Sequence, residues 1–136
     1  MYEKIILVGR LGRDPEMRYT PNGKAVTSFS IATDRRGSDA EGKPTRETVW
    51  FRITVWEKQA ENANTYLKKG SMVLVEGRLK ADPNTGGPVL WTDKEGKTRA
   101  TFEVTASTVR FLSTRTEGGG AEEAGEPSIG EEDVPF

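Results

Sequence analysis

The sequence predicts an all-β domain with one short helix, followed by a disordered acidic C-terminal tail. Its apolar stretches are short and rich in Ile, Val and Phe, which is typical of strands. Only residues 57–70 carry apolar side chains at helical spacing, and they end in two lysines and a glycine, a common helix stop. Residues 116–136 hold too few apolar side chains to order a chain.

The elements of the N-terminal half follow from local patterns. Residues 4–11 form an apolar run too short for a helix, and Gly9 within this strand indicates a bend or a close approach of another backbone. Residues 14–24 are rich in turn formers and are predicted as turns. A strand with alternating apolar and polar side chains is predicted over 25–33, and the polar segment 34–44 as a loop or hairpin tip.

The remaining elements are predicted in the order strand, helix, strand, loop, hairpin turn and strand, over residues 46–56, 57–70, 71–79, 81–90, 93–97 and 98–112. Alternation along the strands assigns one set of apolar residues to the core: Phe29, Ile31, Val49, Phe51, Ile53, Val55, Val73, Val75, Phe102 and Val104. Ser28 and Ser30 are assigned to the outward side.

Three strands, a helix and two further strands suit a five-stranded Greek-key barrel of the oligonucleotide/oligosaccharide-binding (OB) type. A small mixed α+β domain is the alternative. We expect this domain over 1–113, a flexible Gly/Glu-rich linker over 114–130, and a distinct acidic tip over 131–136.

Composition excludes several function classes. The chain has neither cysteine nor histidine, which removes disulfides, thiolate metal sites and the commonest general base. No catalytic, metal or cofactor site is predicted. Three acids, Asp34, Asp39 and Glu41, share one loop, where alternating surface charge is favoured over a cation site. The apolar run Ile5 to Val8 is too short for a signal peptide or a membrane span, so we expect a soluble, cytoplasmic protein.

The charges are divided unevenly along the chain. Residues 1–115 hold all 20 basic residues and 14 acidic ones, whereas residues 116–136 hold seven acidic ones and no basic one. Such a division suits a polyanion-binding domain with an acidic tail. A mildly basic domain with a solubilising tail explains it equally well.

The stretch TVWFRITVW, residues 48–56, carries the strongest functional signal. Its outward face holds Trp50, Arg52 and Trp56, and the two indoles are about 20 Å apart along a strand. Aromatic rings stack on bases and cations neutralise phosphates, so this face predicts binding of single-stranded nucleic acid. The alternative is that one tryptophan packs under the helix or in a subunit contact.

Other cations can extend this surface, although each is individually more often a solvated charge. They are Lys58, Lys68, Lys69, Arg78, Lys80, Lys94 and Lys97. Alternation places Arg78 on the outward side of its strand.

Three segments, 5–26, 47–61 and 66–79, together with the tip EEDVPF, resemble bacterial single-stranded DNA-binding proteins. The resemblance implies a non-enzymatic OB-fold homotetramer around which single-stranded DNA wraps during replication, recombination and repair in the nucleoid. It implies stacking by Trp50, Trp56 and Trp91. It also implies that four basic residues lie on the binding surface: Arg52, Lys58, Lys69 and Lys80.

The same resemblance implies that the tip docks replication, repair and recombination enzymes through Glu131, Glu132, Asp133, Val134, Pro135 and Phe136. The sequence departs from the family pattern where loop 34–43 lacks an aromatic residue, for which Arg35 or Arg36 is the candidate replacement. Residues 82–90 look like an insertion before Trp91. Two alternatives concern the protein as a whole: a specialised OB-fold accessory protein for primosomes, DNA uptake or RNA binding, and a metal-dependent nuclease. A third concerns the tail, which would then serve only to solubilise the protein.

Overall fold

The structure, a computed structural model, describes residues 1–112. Within them lie seven strands and one helix: β1 (Ile5–Leu11), β2 (Glu16–Tyr19), β3 (Ala25–Ser38), β4 (Pro44–Trp56), α1 (Glu57–Tyr66), β5 (Met72–Leu79), β6 (Val89–Thr92) and β7 (Thr98–Phe111). The predictions for the linker 114–130 and the tip 131–136 lie outside the described residues.

Five of the strands close into a barrel. Going around it, β1 pairs with β5, β5 with β7, β7 with β4, β4 with β3, and β3 again with β1. All pairs are antiparallel except β4 with β7. The helix comes between the third and fourth barrel strands, so the predicted OB-type barrel is confirmed. The two short strands are accessory: β2 adds to the edge of β3, and β6 pairs only with the start of β7.

The barrel closes where β1 changes partner, beside Gly9. Residues Ile5–Arg10 pair with β5, whereas Arg10 and Leu11 pair with β3. A Cβ atom at Gly9 would lie 2.5 Å from the carbonyl oxygen of Ala32, closer than real side chains come. The predicted close approach of another backbone is therefore confirmed, and it permits closure.

The barrel interior is filled by the side chains that the strand alternation predicted. Phe29, Ile31, Ile53, Val55, Val73, Val75 and Val104 are all buried, and Val49 and Phe51 are half-buried. Helix α1 lies against β3, where the Thr27 hydroxyl donates to the carbonyl oxygen of Ala60 at 2.7 Å. Ala60 and Ala63 are fully buried there because their small side chains let the helix pack closely.

One core prediction is wrong: Phe102 is 55% exposed. At this position β7 pairs with β4, and the Phe102 ring contacts its cross-strand partner Phe51 at a centroid distance of 5.7 Å. Phe102 therefore lies at the rim of the barrel, where the face of β7 that is buried at Val104 becomes exposed. Ser28 lies on the predicted outward face but is buried between its cross-strand neighbours, Glu16 of β2 and Thr54 of β4.

Several element boundaries differ from prediction. Strand β2 occupies part of the segment 14–24 that was predicted as turns. Strands β3 and β4 extend into the predicted loop 34–44 as a hairpin arm, whose turn is held by Asp39 accepting from the backbone N–H groups of Glu41 and Lys43 at 2.9 Å each. Strand β6 takes Val89 and Leu90 from the predicted loop 81–90.

The helix ends at Tyr66 rather than at Gly70. Leu67 has an extended backbone, with φ −98° and ψ 152°, and its side chain is buried. Burial of this leucine ends the helix early, so Lys68 and Lys69 follow the helix instead of lying in its last turn. Gly70, with φ +91°, makes the turn into β5.

Candidate nucleic-acid interface

Rows of side chains cross the outward side of the barrel, a surface we call the tryptophan face. Strand register places one row across five strands, in the order Glu16, Ser28, Thr54, Thr105 and Arg78. A second row runs through Ser30, Arg52 and Glu103 to Lys80, whose ammonium lies 3.8 Å from the Glu103 carboxylate. A third begins with Ala32 and Trp50.

Trp50 and Trp91 flank a cavity of about 430 Å³ on this face, here called the tryptophan cavity. Trp50 is 51% exposed and Trp91 is 46% exposed. The Trp91 indole N–H donates to the Thr101 hydroxyl at 2.7 Å, which fixes the ring orientation. Arg52 and Glu103 also line the cavity. Its walls therefore offer two aromatic surfaces and a guanidinium, as base stacking and phosphate binding require.

A braced turn presents Trp91. Asp93 accepts hydrogen bonds from the backbone N–H groups of Glu95 and Lys97 at 2.9 Å each and from Arg99 Nε at 2.7 Å. The Arg99 contact, and next the Lys97 N–H, lower the pKa of Asp93 from its usual range. The ionised carboxylate thus holds the 93–97 turn, whose predicted position is confirmed, and with it the strand that carries Trp91.

A second cavity, of about 480 Å³, opens on the other side of Trp50. We call it the Glu16 cavity, and six of its lining residues matter below: Gly12, Glu16, Ser28, Ser30, Trp50 and Arg52. A Cβ atom at Gly12 would lie 2.7 Å from both Cη2 and Cζ3 of Trp50. Glycine at this position leaves room for the end of the indole to rest against the chain, where Trp50 lines both cavities.

The loop that walls the Glu16 cavity is tied to the barrel at several points. Gly12 N–H donates to the Ser30 carbonyl oxygen at 3.1 Å, and the Lys69 N–H donates to the Asp14 carboxylate at 2.9 Å. The Arg10 guanidinium donates to the Gly70 carbonyl oxygen at 3.0 Å. These contacts place Lys69, which is remote in sequence, next to Asp14, one of the residues that line the cavity.

The eight residues predicted to bind DNA are therefore not equivalent in position. Six lie on the tryptophan face: Trp50, Arg52, Trp56, Arg78, Lys80 and Trp91. Trp56 is 41% exposed but lies at the far end of β4, outside both cavities. Lys69 lies next to Asp14, and Lys58 is exposed in the first turn of α1.

Sequence reasoning missed several residues at this site. Glu16 was hidden because β2 was predicted as a turn, and Thr101 because its role depends on the cross-strand partner Trp91. Gly12 carried no usable signal, since its close contact is with a residue 38 positions away. Only the register of β2 and β3 brings Glu16 opposite Ser28.

Two of the three loop acids, Asp34 and Asp39, accept hydrogen bonds from other groups of the hairpin arm. Asp34 accepts from Arg46 at 2.5 Å and from the Thr48 hydroxyl at 2.9 Å, and these bonds lower its pKa. Within residues 1–112 no group of three or more acidic side chains is placed to hold a metal ion. In the same range no helix is long and apolar enough to span a membrane.

Comparison with known proteins gives the family. A model of the single-strand binding protein family matches residues 2–112. The chain belongs to this family. Its members are binding proteins and not enzymes.

Two single-stranded DNA-binding proteins illustrate the similarity. The one from Neisseria meningitidis strain Z2491 is 43% identical over 117 residues, which are 86% of this chain and 63% of that protein. The one from Oceanobacillus iheyensis is 42% identical over 125 residues, or 92% and 72%.

The chain thus spans slightly less than two thirds of the Neisseria relative. Among solved structures, this single-strand binding family chain is similar to a deletion mutant of the single-stranded DNA-binding protein from Thermus aquaticus, with TM-score 0.65, 30% identity, and coverage of 82% of this chain and 51% of that one. It is also similar to a Plasmodium falciparum SSB in complex with ssDNA, with TM-score 0.66, 27% identity, and coverage of 82% and 96%.

Proposed function

We propose that the protein binds single-stranded DNA by stacking bases on Trp50, Trp56 and Trp91 and by neutralising phosphates. The observation that carries this proposal is the tryptophan cavity, where two exposed indoles flank Arg52. Each stacked base is worth about 1–3 kcal/mol and any base can stack, so the bulk of the affinity is independent of sequence. Duplex DNA hides its base faces, which gives the surface its preference for single strands. A family relative in complex with single-stranded DNA supports the same reading.

The cations serve the phosphates. Arg52, Arg78 and Lys80 lie on the tryptophan face. We propose that the bound DNA strand continues past the edges of this face to Lys58 and Lys69. Each phosphate that a cation neutralises releases counterions, so affinity falls as salt rises. Stacking is less sensitive to salt and retains part of the affinity.

We also propose assembly as a homotetramer. The outer side of β1, β5 and β7, away from the tryptophan face, leaves apolar side chains incompletely covered: Ile6, Val8, Met72, Leu74 and Leu112. Ile6 is 59% exposed. On this surface the apolar side chains are interspersed with Arg10, Glu76 and Arg110, and a mixed surface with exposed apolar groups is typical of a protein interface. A second copy of the chain is the natural occupant, since closed symmetric assemblies use the same surface on each subunit.

The biological role proposed is protection of exposed strands during replication, recombination and repair on the nucleoid, in the cytoplasm. The tip residues Glu131–Phe136 are proposed to recruit enzymes of these processes. This part rests on the sequence: three acids give long-range attraction to a basic surface, and a terminal Phe with its carboxylate suits an apolar pocket edged by cations.

Titration with unstructured oligo(dT) at low and high salt, followed by intrinsic tryptophan fluorescence, tests the binding proposal. Strong quenching and tight binding are expected at low salt, with weaker binding but the same full quenching at high salt. An RNA oligomer of equal length is the comparison for an RNA-binding role. Absence of quenching, or tighter binding of RNA, would contradict the proposal.

Deleting residues 131–136 tests the tip. Affinity for single-stranded DNA should hold or rise, because three acids that compete with DNA for the cations are removed. Binding to replication and repair enzymes, measured by surface plasmon resonance, should be lost. A matched control replaces Glu131, Glu132 and Asp133 by Gln, Gln and Asn while keeping Val-Pro-Phe. Partner binding that survives the deletion would reduce the tail to a solubilising role.

A further inference from the structure

The two cavities beside Trp50 differ in how their carboxylates are paired. In the tryptophan cavity the Glu103 carboxylate lies 3.8 Å from the Lys80 ammonium. The Glu16 cavity is lined by two serines, by Arg13 and Arg52, and by two carboxylates, of which Asp14 accepts from the Lys69 backbone N–H at 2.9 Å. Within residues 1–112 the Glu16 carboxylate has no ion-pair partner. An unpaired carboxylate repels phosphates, so on a surface for a polyanion it lowers affinity unless it makes a favourable contact with the ligand.

We propose that the Glu16 cavity is a subsite for one base of the bound strand, and that Glu16 makes it favour cytosine over thymine. This inference rests on the proposed binding of single-stranded DNA and adds a local base preference to it. The overall preference of the protein for any oligonucleotide is still set mainly by stacking and phosphates.

The size and walls of the cavity suit a single base. Its volume of about 480 Å³ falls in the range of small-ligand sites. Trp50 lines this cavity as well as the tryptophan cavity, so bases on its two sides can both contact the indole. Because Gly12 has no side chain, the indole can lie against residue 12 and form the wall between the two bases.

The hydrogen-bonding groups match one base edge. Cytosine presents an amino donor at N4, then acceptors at N3 and O2. Glu16 only accepts, Arg52 only donates, and the Ser30 hydroxyl does either. Glutamate accepting from cytosine N4 is a known pairing chemistry. Thymine places the O4 acceptor where cytosine has its amine, so its oxygen would face the carboxylate.

Strand register puts these groups on opposite sides of the cavity. Glu16 lies opposite Ser28 on β3, and Arg52 lies opposite Ser30 from the other neighbour of β3. Because Ser28 and Ser30 are two residues apart, Glu16 and Arg52 are separated by two strand spacings across the sheet and by two residues along it, about 12 Å between Cα atoms. A pyrimidine ring together with the two side chains spans this distance, with its polar edge towards the serines.

The variant Glu16→Gln tests the inference. Its amide can accept from cytosine N4 or, after flipping, donate to thymine O4, so discrimination should disappear. The ratio of the Kd for oligo(dC) to the Kd for oligo(dT) should rise about fivefold or more relative to the unmodified protein. The control Glu61→Gln removes the same charge from an exposed position on α1 and should change both Kd values equally.

A base analogue gives a second measurement, which can be made on the unmodified protein and so does not require the variant to fold. Replacing cytosine by 2-pyrimidinone deletes the N4 amine and should weaken binding to the unmodified protein more than binding to Glu16→Gln, because a hydrogen bond to a carboxylate is stronger than one to an amide oxygen. The subsite would be overturned if Glu16→Gln, like the control Glu61→Gln, changed the Kd values for oligo(dC) and oligo(dT) equally, and if the analogue bound as tightly as cytosine. The proposed function would be left intact by that outcome. Failure of the unmodified protein to bind either oligomer would refute the proposed function and the subsite together.

Discussion

Replacing Trp50 by alanine is expected to weaken binding of oligo(dT) by about 5- to 150-fold, the equivalent of about 1–3 kcal/mol for one stacked base. The effect should be at the upper end of this range because Trp50 lines both cavities. Kd measured by fluorescence anisotropy of a labelled oligomer checks it, since that signal does not depend on the protein's own tryptophans.

Two control variants separate stacking from folding. Trp50→Phe keeps an aromatic ring and should recover most of the affinity. Tyr19→Ala removes an aromatic residue that is 61% exposed on β2 but lies on the side opposite to Glu16, and it should leave the Kd unchanged. The stacking role of Trp50 is refuted if the alanine variant binds as tightly as the unmodified protein, or if Tyr19→Ala weakens binding as much.

Trp50 and Trp91 share the tryptophan cavity, so their substitutions are not expected to act independently. The double variant Trp50→Ala/Trp91→Ala should lose a different amount of binding free energy from the sum of the single variants, because groups in one cavity are coupled. Trp56 lies outside that cavity, and its effect should add to that of Trp50.

The sequence predicts the barrel well because its signals are local. Alternation in residues 48–56 places Ile53 and Val55 in the core and both tryptophans outside, and the register of β3 with β4 agrees. Gly9 is a further local signal, and its predicted close contact is with Ala32. These features need only the period of a strand and the absence of a side chain.

The parts that the sequence does not predict depend on distant partners. Strand β2 follows from its pairing with β3, because the segment 14–24 has the composition of turns. The early end of α1 follows from burial of Leu67 in the barrel. Likewise the Glu16 cavity exists only because β2, β4 and the 12–15 loop meet, and no local pattern encodes that meeting.

Replacing Ile6 by lysine is expected to break the proposed tetramer without unfolding the chain. In a free subunit position 6 is 59% exposed and lies opposite Glu76, so a lysine there is solvated and next to a carboxylate. In an assembly that buries this face, the same ammonium loses its water and costs several kcal/mol. Sedimentation velocity should give about four times the chain mass of 15.0 kDa for the unmodified protein and less for the variant.

The matched control is Leu90→Lys, which places the same charge on β6 at a position that is 57% exposed and lies off the assembly face. It should remain tetrameric.

Loss of assembly should also affect the affinity for long DNA strands but not the affinity for short ones. An oligomer of about 8 nucleotides, enough for one barrel, should bind Ile6→Lys normally, whereas a strand long enough to reach several barrels should bind more weakly, because linked sites no longer raise the effective concentration. A tetrameric Ile6→Lys variant would show that this face is not the interface, and the apolar side chains around Ile6 would then need another occupant.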